Sequence, residues 1–173
     1  MKKLLFLSFS FLLFQHAFSQ EAVDVFDIAR KGTLEQAKAI VKNNPRAFQT
    51  VNQEGFSPLT LACYRANNEV AKFLTDSGCD INQNSSMGTP LMAAIVKGNN
   101  EMARYLLQKN ANINLTDANG TTALMYAVMF KNKEMVALLL QKKADKSVAD
   151  HKGKTAFEYA VFSGNEEIIN LLK

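Results

Sequence analysis

Apolar residues recur along this chain in short runs, and several of these runs begin after a hydroxyl residue and end before an asparagine. The clearest run is ALMYAVMF, eight apolar residues from Ala123 to Phe130. Its length alone fits a buried strand or a buried helix, so its flanks and its recurrence decide. Four segments align when they start at Ser57, Thr89, Thr122 and Thr155, with spacings of 32, 33 and 33 residues, and a degenerate copy starts at Val25. Such a period is typical of a repeat architecture.

Each copy predicts a hairpin of two helices. The leading Ser or Thr can accept a hydrogen bond from the first helical turn, and Pro58 and Pro90 follow where a missing N–H is tolerated. About two turns later an asparagine caps a second helix, and a glutamate two residues further on favours the positive helix end. These asparagines are Asn67, Asn99, Asn132 and Asn165. The second helix carries apolar residues at helical spacing, so one hairpin must stack on its neighbours to bury them.

The connections between hairpins predict turns that need a left-handed residue. Asn52, Asp117 and Asp150 are each followed three residues later by a glycine, which adopts a positive φ without steric cost. In the copy that starts at Thr89 this glycine is displaced by one position, to Gly88, and Met87 takes its usual place. We therefore expect a distorted connection between residues 84 and 88.

The motifs SPLTLA, TPLMAA, TALMYA and TAFEYA, together with GCDIN and NANIN, resemble the ankyrin repeat family over residues 22–173. The resemblance implies an all-α ankyrin repeat solenoid of about five helix-turn-helix units. Their expected bounds are 22–51, 52–83, 84–116, 117–149 and 150–173, in a domain over 20–173. The family has a histidine after Pro-Leu, and this sequence departs from that pattern. The residues at this position here are Thr60, Met92, Met125 and Glu158.

The N-terminus predicts a secretory signal peptide over residues 1–19. Lys2 and Lys3 precede eleven residues from Leu4 to Phe14 that are apolar except for two serines, and small residues stand before a cleavage position after Ser19. A transmembrane anchor needs about 20 apolar residues, and no cysteine follows for a lipid anchor. We expect an exported protein, periplasmic or secreted, without a membrane anchor after cleavage.

The remaining composition argues against several classes of function. Loss of Lys2 and Lys3 lowers the formal net charge from +4 to +2, and the charges are interspersed, so a nucleic-acid partner is not expected. His151 is the one histidine after residue 19, and no P-loop, nucleophile elbow or paired-cysteine motif is present. We expect no enzymatic activity, no cofactor and no metal. Cys63 and Cys79 could form a disulfide, but the repeat alignment favours two small buried residues.

The resemblance also implies where a partner would bind. In the family, a concave groove formed by the first helices and the turn tips binds other proteins. The matching helix residues here are Tyr64, Arg65, Val96, Lys97, Met129, Phe130, Phe162 and Ser163. The matching turn tips are Glu54, Phe56, Asn119, Thr121, His151, Lys152 and Lys154. The alternative is that the apolar members pack between repeats.

The sequence thus predicts a monomeric protein-protein interaction module. The basic residues Arg65, Lys97, Lys152 and Lys154 favour a partner with an acidic surface. An alternative role suggested by the resemblance is an immunity or accessory protein that neutralises or stabilises an exported enzyme, for example in oxidative stress defence.

Overall fold

A computed structural model describes residues 24–173, and the predicted signal peptide, residues 1–19, lies outside them. Within the described range the chain forms ten helices. They are α1 Val25–Lys31, α2 Leu34–Asn43, α3 Pro58–Arg65, α4 Asn68–Asp76, α5 Pro90–Val96, α6 Asn100–Gln108, α7 Ala123–Met129, α8 Lys133–Gln141, α9 Ala156–Ser163 and α10 Glu166–Leu172. None of these helices has the length and apolar character needed to cross a bilayer.

The helices form five hairpins, and the hairpins stack in chain order. The first helices α1, α3, α5, α7 and α9 each contact the next in a continuous row. Contacts between second helices join α2 to α4, α4 to α6 and α8 to α10. The predicted all-α solenoid is therefore confirmed for residues 24–173.

The core lies between the stacked hairpins, and equivalent repeat positions supply it. Leu59, Leu91 and Leu124 follow the first helical residue of α3, α5 and α7, and each is at most 1% exposed. From the second helices, Met102 and Met135 are fully buried at a shared repeat position. Each hairpin buries its apolar face only against its neighbours, which makes stacking the main source of stability.

The predicted hydroxyl caps are confirmed in four hairpins. The N–H of Thr60 donates to Ser57 Oγ at 3.1 Å, and equivalent bonds reach the hydroxyls of Thr89, Thr122 and Thr155. Helix α2 begins with a further cap at Thr33, where the Gln36 side chain accepts a reciprocal bond. These bonds satisfy amides that the first turn leaves free.

The predicted asparagine caps hold for three second helices and are wrong for one. Asn99, Asn132 and Asn165 accept from the third residue of α6, α8 and α10. Asn67 makes no such bond, and its amide donates instead to the carbonyls of Ala29 and Gly32, at 3.3 and 2.9 Å. These carbonyls belong to the end of α1, so Asn67 satisfies the neighbouring hairpin and not its own helix.

Asparagine and glutamate side chains also connect successive second helices. Asn99 donates to Asn68 at 2.6 Å, and Asn132 donates to Asn100 at 2.7 Å. The acceptors Asn68 and Asn100 in turn donate to a glutamate of the following hairpin. In the next hairpin a lysine replaces this asparagine and forms an ion pair with Glu167 at 2.9 Å. This arrangement fixes the register between repeats through exposed or half-buried polar contacts.

The connections follow the predicted turn chemistry. Asp117 accepts from the N–H groups of Asn119 and Thr121 at 2.8 and 2.9 Å, and Asp150 and Asn52 bond their own turns in the same way. The connection with the displaced glycine is distorted, as expected. It closes as a tight turn in which Ser85 and Gly88 exchange backbone bonds of 3.2 and 3.0 Å. This shorter turn leaves Met87 at its tip, 66% exposed.

Cys63 and Cys79 are both buried and both free thiols. Cys63 lies in the first-helix row, and Cys79 lies at the end of a second helix, where its thiol faces the carbonyl of Phe48 at 3.8 Å. The interpretation of two small buried residues therefore holds, and the disulfide alternative is wrong in this structure.

Candidate functional site

The ends of the first helices present apolar side chains away from the core. In α7, Leu124, Ala127 and Val128 are buried, whereas Met129 and Phe130 are 37% and 53% exposed. Successive helical residues point about 100° apart, so the last two residues of the run turn away from the buried face. The equivalent residues Tyr64 and Phe162 are 39% and 85% exposed. Val96 is half-buried.

We call Tyr64, Val96, Met129, Phe130 and Phe162 the first-helix stripe. Packing between repeats would have buried all five side chains, and four of them are exposed. Apolar side chains are therefore exposed on the second, fourth and fifth hairpins, and a half-buried one lies on the third. Ser163, predicted at the same surface, is half-buried, and its hydroxyl donates to the carbonyl of Ala160 at 2.8 Å.

One part of the stripe borders a cleft of about 390 Å³, which we call the Tyr64 cleft. Its walls come from the four first helices α1, α3, α5 and α7 and from two connections. The lining residues are Arg30, Glu54, Phe56, Thr60, Leu61, Tyr64, Arg65, Met87, Ala93, Val96 and Tyr126. The structure thus brings together the sequence-predicted residues Tyr64, Arg65, Val96, Glu54 and Phe56. The other predicted residues lie outside this cleft.

Sequence reasoning missed the remaining walls of the cleft, notably Met87, Leu61 and Ala93. Met87 had a signal in the sequence, because the one-residue displacement of Gly88 indicated an unusual turn. The contribution of Leu61 and Ala93 depends on how α3 and α5 face one another, which the repeat pattern does not specify. The cleft is therefore a product of stacking and of one distorted connection.

Cations lie over the exposed aromatic rings. The Lys97 ammonium lies 5.0 Å from the ring centroid of Tyr64, and the Arg65 guanidinium lies 5.9 Å from the same centroid. Lys154 takes an equivalent position 5.5 Å from the ring centroid of Phe162. At these distances the cations are attracted to the ring faces, which holds basic and aromatic groups side by side.

The predicted turn tips differ in accessibility. Glu54, His151, Lys152 and Lys154 are exposed, and Phe56 is half-buried. Asn119 is exposed, and its carbonyl accepts from the N–H of His151 at 2.9 Å.

The expectation that Thr121 lies accessible at a tip is wrong, because it is only 6% exposed. Two bonds with Asp117 hold it in the turn: the N–H of Thr121 donates to the Asp117 carboxylate at 2.9 Å, and the N–H of Asp117 donates to the Thr121 carbonyl at 3.0 Å.

Two carboxylates hold the connections in place through tyrosines. The hydroxyl of Tyr126 donates to Asp117 at 2.7 Å, and that of Tyr159 donates to Asp150 at 2.5 Å. Burial tends to raise the pKa of Asp117, but the bonds from Tyr126 and from backbone N–H groups outweigh it, and the pKa is lowered. Hydrogen bonding by Tyr159 and the N–H of Lys154 lowers the pKa of Asp150. Both carboxylates therefore stay ionised at neutral pH and keep the turns rigid.

Several cations near the exposed aromatic rings form no ion pair within the described residues. The paired cations are Arg30, Lys31, Lys72, Arg104, Lys109 and Lys133. Neither Arg65 nor Lys97 is among them, and the same holds for Lys131, Lys152 and Lys154. Positive charge is therefore available along the surface that carries the exposed aromatic rings.

Between residues 24 and 173, no group of three or more His, Cys, Asp or Glu side chains could hold a metal ion. A family model described as ankyrin repeats (3 copies) matches residues 25–117 and 110–173. Among curated proteins, none matches this chain.

Proposed function

Because the chain belongs to the ankyrin repeat family, we propose that it is an exported, non-catalytic module that binds another protein through its first-helix stripe and turn tips. Ankyrin repeats are generally protein-protein interaction modules. The observation that carries the proposal is the exposure of Tyr64, Met129, Phe130 and Phe162 on the second, fourth and fifth hairpins. Contiguous exposed apolar side chains mark interaction surfaces on soluble proteins.

The residue types in the stripe fit this role. Aromatic residues bury a large area with few rotatable bonds, and methionine adapts to irregular surfaces, so both types anchor interfaces. The helices and Asx turns beneath the stripe are fixed by caps and by the carboxylate–tyrosine bonds. A rigid support of this kind reduces the entropy that a partner must overcome on binding.

Site-specific photo-crosslinking in the native cell tests the proposed surface. A photoreactive residue replaces Met129 in the stripe, and a matched one replaces Ala137, an exposed position on the second helix α8. We expect a covalent adduct with another protein from position 129 and none from position 137. Equal labelling at both positions, or no adduct at position 129, would contradict the proposal.

Export rests on the pattern of residues 1–19 alone and has its own test. Cell fractionation should place the protein outside the cytoplasm, and N-terminal sequencing of that fraction should begin at Gln20. An uncleaved protein that remains in the cytoplasm would contradict export and leave the binding proposal in place.

A further inference from the structure

We infer that the Tyr64 cleft accepts one apolar side chain from an acidic, extended segment of the partner protein. The inference rests on the proposed function and specifies the chemistry of the segment that binds. Three features support it: the apolar interior of the cleft, the free cations beside the Tyr64 ring and a further free cation one hairpin along the stack.

The interior of the cleft offers apolar contacts and no polar group in need of a partner. Leu61, Ala93 and Val96 contribute aliphatic walls, and Met87 reaches in from the tight turn. Thr60 also lines the cleft, but its hydroxyl already bonds the Ser57 hydroxyl at 2.9 Å. The cleft volume of about 390 Å³ is near the lower end of the range for small-molecule pockets, roughly 300–1,000 Å³. Because its walls are aliphatic and offer no polar group in need of a partner, the cleft fits an apolar side chain better than a polar one.

Two free cations lie beside the Tyr64 ring, Arg65 in the lining of the cleft and Lys97 next to it. Neither takes part in an ion pair within the described residues. The third cation, Arg30, is already paired with Asp27 at 3.2 Å. Glu54 is the one carboxylate in the lining, and it belongs to a connection and not to a first helix. A partner carboxylate is therefore attracted to Arg65 and Lys97 and repelled by Glu54.

A further cation lies one hairpin along the stack, although not at the repeat position of Lys97. Lys97 directly follows α5, and Lys131 lies two residues after α7, also without an ion pair in the described residues. Packed helices lie about 8–10 Å apart, a distance that about three residues of extended chain span. An extended segment that places its apolar side chain in the cleft would thus meet Lys97 with a nearby carboxylate and Lys131 with one about three residues further on.

A random peptide library displayed on phage and selected on the purified protein tests this inference. We expect selected peptides to share one large apolar residue and aspartate or glutamate nearby. Their dissociation constants, measured by fluorescence anisotropy, should rise at least about tenfold in Lys97→Glu and in Tyr64→Ser. Binding should also weaken with added salt, because ion pairs at the exposed rim are screened.

Two variants serve as controls. Lys38→Glu makes the same charge change at an exposed position of the second helix α2, and it should leave peptide affinity unchanged. Tyr64→Phe keeps the ring, so its affinity for the peptides should stay close to that of the unsubstituted protein, unlike that of Tyr64→Ser. Thermal melting of each variant separates a loss of binding from a loss of folding.

The outcomes distinguish this inference from the proposed function. Neutral or basic peptides that bind the first-helix stripe would overturn the inference and leave the interaction module in place. The same holds if acidic peptides bind the stripe but respond equally to Lys97→Glu and Lys38→Glu. If no selected peptide binds the stripe and photo-crosslinking at position 129 also fails, the proposed function itself is overturned.

Discussion

Two apolar residues of the ALMYAVMF run should differ in how much their truncation destabilises the fold. Leu124 is 1% exposed in the row of first helices, whereas Phe130, directly after α7, is 53% exposed. Side-chain size alone predicts a larger loss of stability on truncation of the bulkier Phe130. The structure predicts that Leu124→Ala destabilises the fold, and that Phe130→Ala mainly weakens partner binding.

The size of each effect follows from burial. Leu-to-Ala changes in a core cost about 2–5 kcal/mol, and we expect about 3 kcal/mol for Leu124, because α5 and α9 restrict collapse around the cavity. Full burial of a phenylalanine contributes about 1.5–3 kcal/mol, so half burial gives about 1 kcal/mol for Phe130. Its stacked contact with Tyr126, at a centroid distance of 6.4 Å, is included in that figure.

Urea denaturation followed by far-UV circular dichroism measures the free energy of unfolding of each variant. About 3 kcal/mol corresponds to a Tm lower by about 6–12 °C for a chain of this size, and about 1 kcal/mol to about 2–4 °C. Leu124→Met, which nearly conserves volume, is the control and should lose less than about 1.5 kcal/mol. If Phe130→Ala lowers stability as much as Leu124→Ala, the assignment of Phe130 to an open surface is wrong.

Three further predictions concern the turns and the thiols. Both Gly120 and Gly153 have a positive φ, so Gly153→Ala should lower the free energy of unfolding by ~1–2 kcal/mol in urea denaturation. Gly120→Ala should lower it by more, because at Gly120, unlike at Gly153, an added Cβ also meets Asp150 and His151 within 3.1 Å. Because its folded pKa lies below 3.8, the Asp117 carboxylate stabilises the fold above that pH, and this contribution is lost as pH falls through the folded pKa. Asp117→Asn should therefore reduce the drop in Tm measured between about pH 5 and pH 2, whereas an unchanged profile would contradict the role of this carboxylate. Burial raises the pKa of Cys63 and raises that of Cys79 to about 11, so Ellman's reagent should label neither thiol quickly until urea is added; rapid native labelling would contradict their burial.

Much of the fold was predictable because it depends on local chemistry. Ser57 and Thr122 cap their helices through the third following amide, and Asp117 closes its turn through residues two and four positions away. Such bonds need only the right residues at short spacing, and the sequence displays that spacing. The distorted connection at Gly88 was predictable for the same reason.

Two predictions were wrong, one because of a distant contact and one because of the bonds of a local turn. Asn67 has the sequence context of a cap, yet it bonds the carbonyls of Ala29 and Gly32 in the preceding hairpin. Thr121 has the context of an exposed tip, yet it is buried beside Asp117. The Asn67 contact depends on how neighbouring hairpins meet, whereas the burial of Thr121 goes with the bonds of its own turn.

The sequence by itself determined the repeat period, the helices with most of their caps, the turns and the family. These properties follow from residues within about four positions of one another, repeated at a fixed interval. Only the tertiary structure decided whether the predicted groove residues Met129 and Phe130 are exposed or packed between repeats, which of the described cations remain unpaired and where a cleft opens. Those properties depend on contacts such as that between Lys97 and Tyr64, which join residues of neighbouring hairpins. Stacking brings such residues together, and the hydrophobic pattern of a single repeat does not encode it.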